Sequence, residues 1–209
     1  MTRLWHFDGA PTALQLNQVA ELLRGGGVAL LPTDTIYGLH ASALDEAAVA
    51  RIGDIKGRAD TKPFVVLASS LDDLTKLGVD ADPELLRALD SIWPAPLTAI
   101  LPLSRPIAAS RGAATVAVRI PKLAWLRELV SRTGPLVSTS ANRSGEPPVQ
   151  SPSQLARELQ DSLDAVVDGG VLEAQPSAIL DLTAAEPRFI REGEHSFTQE
   201  VWKTLRKWL

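Results

Sequence analysis

Three consecutive glycines, Gly25-Gly26-Gly27, stand between a helical stretch and the apolar run Val28-Ala29-Leu30-Leu31, which Pro32 closes. Nothing else in the chain restricts the fold as much. Glycine takes the backbone conformations that end a helix at little cost, and proline has no amide hydrogen to continue a strand. Ahead of the glycines, Thr12 and Gln15 have the spacing of a capping box, and Leu16, Val19, Ala20 and Leu23 fall on one helical face. A helix that stops just before a buried strand is a building unit of an α/β or α+β domain.

The same alternation continues along the chain. Asp45 caps a second helix with Val49, Ile52 and Ile55 inward, and Asp82-Pro83 opens another with proline at its first position. Strands are expected at 64–68, 97–101, 115–119, 136–138, 165–167, 178–182 and 189–190. The expectation is one domain over residues 1–209 with a mixed sheet of about seven strands. Residues 142–152, rich in Pro, Ser and Gly, read as a functional loop. Residues 197–209 space Phe197, Val201, Trp202, Leu205 and Leu209 as a terminal helix. It packs on the core, or else meets a partner or a membrane surface.

Composition limits the functions open to such a domain. Of 209 residues, 45% are hydrophobic and 22% charged, enough apolar mass for a sizeable core. With 21 basic and 25 acidic residues the net charge is −4, so binding to polyanions would need a local basic cluster. The absence of cysteine excludes disulfides, thiolate metal sites and a thiol nucleophile. His6, His40 and His195 are too few and too scattered to suggest a three-His metal site. The first residues lack the apolar run of a signal peptide, and no apolar stretch approaches the length of a membrane span. The expectation is a soluble, cytoplasmic protein.

No phosphate-binding G-x-x-x-x-G-K-[ST] and no nucleophile elbow G-x-S-x-G occurs. Four polar clusters remain. Residues 32–39, Pro-Thr-Asp-Thr-Ile-Tyr-Gly-Leu, leave a buried strand with hydroxyls, an acid and a phenol; a self-satisfying turn explains them as well as a site does. Lys56, Arg58 and Lys62 surround a Gly–Pro turn. They either complement a helix C-terminus or clamp a polyphosphate. Residues 138–145, Ser-Thr-Ser-Ala-Asn-Arg-Ser-Gly, suit ligand oxygens or a solvated loop. The fourth cluster is scattered: Thr115 to Arg119, Pro176-Ser177 and Arg191. Arg119 lies within the apolar Val116-Ala117-Val118-Arg119-Ile120, where an unpaired cation is costly, so it wants a carboxylate or a phosphate.

Taken in order with Trp93-Pro94-Ala95-Pro96-Leu97-Thr98 and Val116-Ala117-Val118-Arg119-Ile120-Pro121, these clusters resemble the YrdC/TsaC family of threonylcarbamoyl-AMP synthases over about residues 14–193. The chain departs from the common pattern at Leu67, where many members carry histidine, at Ala178 for threonine, and at Ala95 for glycine. The resemblance, to the short bacterial type, implies a YrdC-like fold: a twisted mixed sheet with flanking helices and a basic concave face. It implies a nucleotidyltransferase that makes threonylcarbamoyl-AMP and pyrophosphate from L-threonine, bicarbonate or CO2, and ATP carrying Mg2+, with no protein-held metal. The product would pass to the proteins that modify adenosine 37 of tRNAs reading codons that begin with A, with weak tRNA binding by the chain itself a further implication. By family match Lys56, Arg58 and Lys62 would be catalytic, and with Thr115, Asn142 and Arg191 would bind ATP, while Thr35, Arg119, Ser140 and Ser177 would bind threonine. The rival reading is a double-stranded RNA or tRNA binding module on the same fold, making no adenylate.

Overall fold

The computed structural model describes residues 2–57, 62–142, 146–184 and 186–207. In chain order its elements are β1 (Arg3–His6), α1 (Ala13–Arg24), β2 (Ala29–Leu31), β3 (Gly38–Ser42), α2 (Glu46–Ile55), β4 (Val65–Leu67), α3 (Leu71–Leu77), α4 (Pro83–Asp90), β5 (Leu97–Pro102), β6 (Thr115–Arg119), α5 (Ala124–Thr133), β7 (Leu136–Ser140), α6 (Arg157–Asp161), β8 (Ala165–Asp168), β9 (Ala178–Asp181), β10 (Arg188–Arg191) and α7 (His195–Leu205).

The local signals are realised as written. Thr12 Oγ1 accepts from Gln15 N at 3.3 Å, and Gln15 Oε1 accepts from Thr12 N at 2.9 Å. Asp45 Oδ1 accepts from Ala47 N and Ala48 N at 2.9 and 3.1 Å, and Asp82 Oδ1 from Glu84 N at 2.7 Å. The glycine stop works partly through space. A Cβ on Gly27 would lie 2.5 Å from Leu22 Cδ2 and 2.8 Å from the Leu22 carbonyl oxygen, so only glycine lets the chain turn back beneath α1.

Among the described residues the strands form a ten-stranded sheet in the order β1-β8-β2-β3-β7-β4-β6-β5-β9-β10, with parallel and antiparallel neighbours mixed. That exceeds the expected number, and the two strands not foreseen have plain physical reasons. β1 is a mostly exposed edge strand without apolar alternation. β3 opens in the hydroxyl-rich 32–39 segment and alternates Gly38, His40 and Ser42 with Leu39 and Ala41, so half of it looks like a loop. Helices α3, α5 and α6 also went unforeseen, and the terminal helix begins at His195, two residues before the expected start.

Strand alternation builds two cores. Leu30, Leu39, Ala41, Val66, Val118 and Val137 face one side and pack with α2, α3, α4, α6 and α7. Ala29, Leu31, Leu67, Leu136, Ala165 and Val167 face the other and pack with α1 and α5. Helices α1 and α5 cover only part of this second face. Past them the register continues with Gly38 opposite Ser140, His40 opposite Ser138, Ser138 opposite Val65, and Leu67 opposite Arg119. There the face turns polar and is hollow.

Candidate active site

The hollow is a cavity of about 300 Å³ lined by Thr33, Thr35, Ile36, Gly38, Pro63, Phe64, Val65, Arg119, Ser138, Thr139, Ser140, Pro148, Pro176, Ser177, Ile179 and Arg191. It is at the small end of ligand sites. Among these lining residues there are two cations and no carboxylate. A larger cavity, about 880 Å³, adjoins it and shares Thr35 and Pro176, but carries Glu173, Glu194 and Glu200 on its walls. The smaller one holds the convergent polar groups and is the better candidate.

Its most buried charge is Arg119, 3% exposed at the end of β6. Nη1 donates to Thr35 Oγ1 at 2.7 Å, and Nη2 lies 3.5 Å from Asp34 Oδ1. The structural acid that an in-strand arginine requires is therefore Asp34, whose Oδ2 also accepts from Lys122 N at 2.9 Å. Among the described residues Arg119 Nε is buried without a hydrogen-bond partner. Burial lowers the Arg119 pKa; Asp34 opposes this and the nearby Arg191 charge adds to it. Burial also lowers that of Arg191. Guanidinium groups nonetheless stay protonated in proteins, so two cations converge on one cavity.

The hydroxyls around Arg119 are directional. Thr33 Oγ1 donates to Ile36 O at 2.8 Å, so in its 2.9 Å contact with Thr35 Oγ1 the Thr35 hydroxyl is the donor. With its proton used there and one lone pair taken by Arg119, Thr35 faces the cavity as an acceptor. On the opposite wall Ser177 O accepts from Arg191 Nε at 2.8 Å, and the Ser177 hydroxyl meets Thr98 Oγ1 at 2.9 Å.

His40 lies at the inner margin. It is fully buried, with Nδ1 donating to Gly38 O at 2.9 Å. Burial pulls its pKa down to about 3; the Gly38 carbonyl opposes the shift and Arg119 reinforces it. The ring is packed so closely over Gly38 that a Cβ there would stand 2.8 Å from His40 Cε1.

Of the residues singled out in the sequence, Thr35, Arg119, Ser140, Ser177 and Arg191 line the cavity together. Lys56 does not; it is 5% exposed, and Nζ donates to Ser140 O at 2.7 Å and Asn142 Oδ1 at 2.9 Å. Asn142 Nδ2 in turn donates to Glu146 O at 2.5 Å and lines a neighbouring hollow of about 290 Å³ with Pro148 and Leu155. Lys62 is exposed beside the wall residue Pro63, Thr115 lies at the far end of β6, and Arg58 falls outside the described residues. Pro148 belongs to the 142–152 segment read as a functional loop, whereas Phe64, Val65 and Ile179 were read only as strand residues and missed as cavity walls. The signal for Ile179 was alternation in β9, where it faces away from Ala178 and Leu180.

Comparison with known proteins agrees with this picture. The model of the family named Sua5_yciO_yrdC, described as "Telomere recombination", matches residues 21–193. A threonylcarbamoyl-AMP synthase of Pyrococcus abyssi is 35% identical over 178 residues, 83% of this chain and 52% of that protein; the chain thus spans about half the length of this relative. A putative threonylcarbamoyl-AMP synthase of Mycobacterium tuberculosis is 36% identical over 189 residues, 88% of this chain and 85% of that protein. The crystal structure of P. abyssi Sua5 complexed with L-threonine superposes with a TM-score of 0.87 at 31% identity, covering 96% of this chain and 61% of that one.

Proposed function

The chain belongs to the Sua5/YciO/YrdC family, and from that premise we propose that it is an L-threonylcarbamoyl-AMP synthase, a transferase serving tRNA modification. The observation that carries this reading is the meeting of two guanidinium groups, the buried Arg119 and the more exposed Arg191, on a small cavity whose described lining residues supply hydroxyls and no carboxylate. Such a site is built for an amino acid's carboxylate and for the anions derived from it.

In the proposed reaction the threonine amine attacks the carbon of CO2, supplied as bicarbonate, and loses a proton to give a carbamate. A carbamate oxygen then attacks the α-phosphorus of ATP, and pyrophosphate leaves. Catalysis of this kind is mostly positioning and charge stabilisation. Arg119 would take the threonine carboxylate from its place on the cavity wall. Thr35, facing inward as an acceptor, suits the amine or hydroxyl of the substrate, and Ser140 and Ser177 complete the amino-acid end. Arg191 would stabilise charge near the phosphates. Lys62 and Arg58 would hold the triphosphate, with Thr115 and Asn142 on the nucleotide. Lys56 would act from beneath, fixing Ser140 and Asn142. Mg2+ fits as a companion of the phosphate oxygens: the cavity offers hydroxyls and guanidinium groups, and Asp34 at its edge is engaged by Arg119 and the Lys122 amide. When bound it would offset phosphate charge. Transfer of the product to tRNA by partner proteins, weak contact with tRNA and a cytoplasmic setting belong to the same proposal. Among the described residues no helix is long and apolar enough to cross a membrane.

The test is to incubate the purified protein with ATP, bicarbonate and L-threonine and to measure pyrophosphate and the adenylate by mass. Pyrophosphate should require threonine and bicarbonate together. Threonine-independent release of phosphate would identify an ATPase instead.

A further inference from the structure

Thr98 is a polar residue in an apolar strand. Its neighbours Leu97, Ala99 and Leu101 enter the core, while Thr98 lies on the opposite face and is fully buried. Its hydroxyl meets the Ser177 hydroxyl at 2.9 Å, and among the described residues neither hydroxyl has another hydrogen-bond partner. Ser177, only 7% exposed, is a cavity wall residue whose carbonyl is held by Arg191. A valine would fill the same volume on β5 without introducing a polar group to satisfy. The hydroxyl therefore points to a task.

Two hydroxyls in contact share one proton between them and leave the other free. If Ser177 donates to Thr98, only Ser177 lone pairs face the cavity. If Thr98 donates to Ser177, the Ser177 proton is free for a ligand. The cavity presents Arg119 and Arg191, so its ligand brings anionic oxygens, which can only accept. We propose that Thr98 is a positioning residue that donates to Ser177 Oγ and thereby commits the Ser177 proton to a carboxylate or carbamate oxygen of the amino-acid substrate. In a chain of this kind each bond polarises the next. This inference rests on the synthase reading above.

The test measures L-threonine affinity by calorimetry, and the KM values for threonine and ATP, in the wild type and in Thr98→Val, Thr98→Ser, Ser177→Ala and the Thr98→Val/Ser177→Ala double variant. Thr98→Val should weaken threonine binding and raise its KM roughly five- to tenfold, the scale of one net hydrogen bond, with the ATP KM unchanged. Thr98→Ser should restore both to within about twofold. In the Ser177→Ala background the valine substitution should add nothing, because the residue it acts through is gone. Should Thr98→Val fail to fold, Thr98→Ala removes the hydroxyl without bulk and is read in the same way. An unchanged threonine affinity in the hydroxyl-less variant, or an equal loss with and without Ser177, would overturn the inference. Wild-type protein that does not bind L-threonine would overturn the synthase reading, and this inference with it.

Discussion

The second face of the sheet has two ends that follow different rules. At one end Leu31, Leu67 and Leu136 are fully buried beneath α1 and α5. At the other, Gly38, Ser138, Ser140 and Ile179 line a cavity. The two ends share strands: Leu136 and Ser138 are two residues apart on β7, and Leu67 is paired directly with Arg119. Backbone geometry is the same in both; only the cover differs. Where a helix supplies apolar contacts the strand carries leucine. Where none arrives, the same alternation presents hydroxyls and a cation held in place by an acid. Apolar packing and the cavity wall are therefore separated along a single face.

The largest effect expected from this division is at the covered end. Leu136→Ala should lower unfolding free energy by about 2–5 kcal/mol, the range for a leucine truncated in a packed core. At temperatures where the variant is still folded, kcat/KM should stay near wild type. A threonine KM that moves along with stability in urea titrations and steady-state assays would mean that the two ends are coupled.

Arg119 tests the open end. Arg119→Lys should raise the threonine KM by about 10- to 100-fold, because lysine cannot reproduce a fork engaged with Thr35 and Asp34 and still offer a donor to the substrate. The ATP KM should change little. A large fall in thermal midpoint with threonine KM unchanged in the folded fraction would make the Arg119–Asp34 pair purely structural.

The smallest effect, read between about pH 7 and pH 5, lies at the boundary, where His40 is held neutral. Its pKa in the folded protein is about 3, against about 6.5 in an unfolded chain. As pH falls below about 6.5 the unfolded state gains a proton that the folded state refuses. Stability that is complete above that pH is thus lost progressively toward pH 3, by up to about 1.4 kcal/mol per pH unit. Asp73, Asp164 and Asp181, whose pKa values are lowered in the fold, contribute only at the lower pH where unfolded carboxylates titrate. Denaturation between about pH 7 and pH 5 therefore isolates the histidine. His40→Gln should flatten that slope, and an unaltered slope would show that His40 is not its source.

Much of the fold could be read residue by residue. The capping box at Thr12, the caps at Asp45 and Asp82, and the strands containing Leu30, Val66 and Val118 depend on near neighbours, and each formed where expected. β1 and β3 could not be read in this way. β1 owes its existence to a distant partner, β8, and β3 has polar positions because a cavity lies over them. Legibility in the site divided along the same line. Arg119 announced itself as a cation that needed an acid, but nothing nearby in sequence marks Asp34 as that acid. Lys56 reads in the sequence either as a complement to a helix C-terminus or as part of a polyphosphate clamp. In the structure its ammonium lies beneath the end of β7, between Ser140 and Asn142.

Near-neighbour chemistry was enough to say that this chain alternates helix and strand, contains no thiol, and carries hydroxyl and cationic clusters in an order resembling a known family. Which hydroxyls share a cavity, which acid meets which arginine, and which half of a sheet face stays uncovered depend on contacts between residues far apart in the chain. The Thr98–Ser177 hydrogen bond joins positions 79 residues apart, and the bond from Arg119 to Thr35 joins positions 84 apart. Neither partner carries a local mark of the other. Such pairs exist only once ten strands have taken their order, because strand order sets which side chains come within the roughly 3 Å at which a hydrogen bond forms.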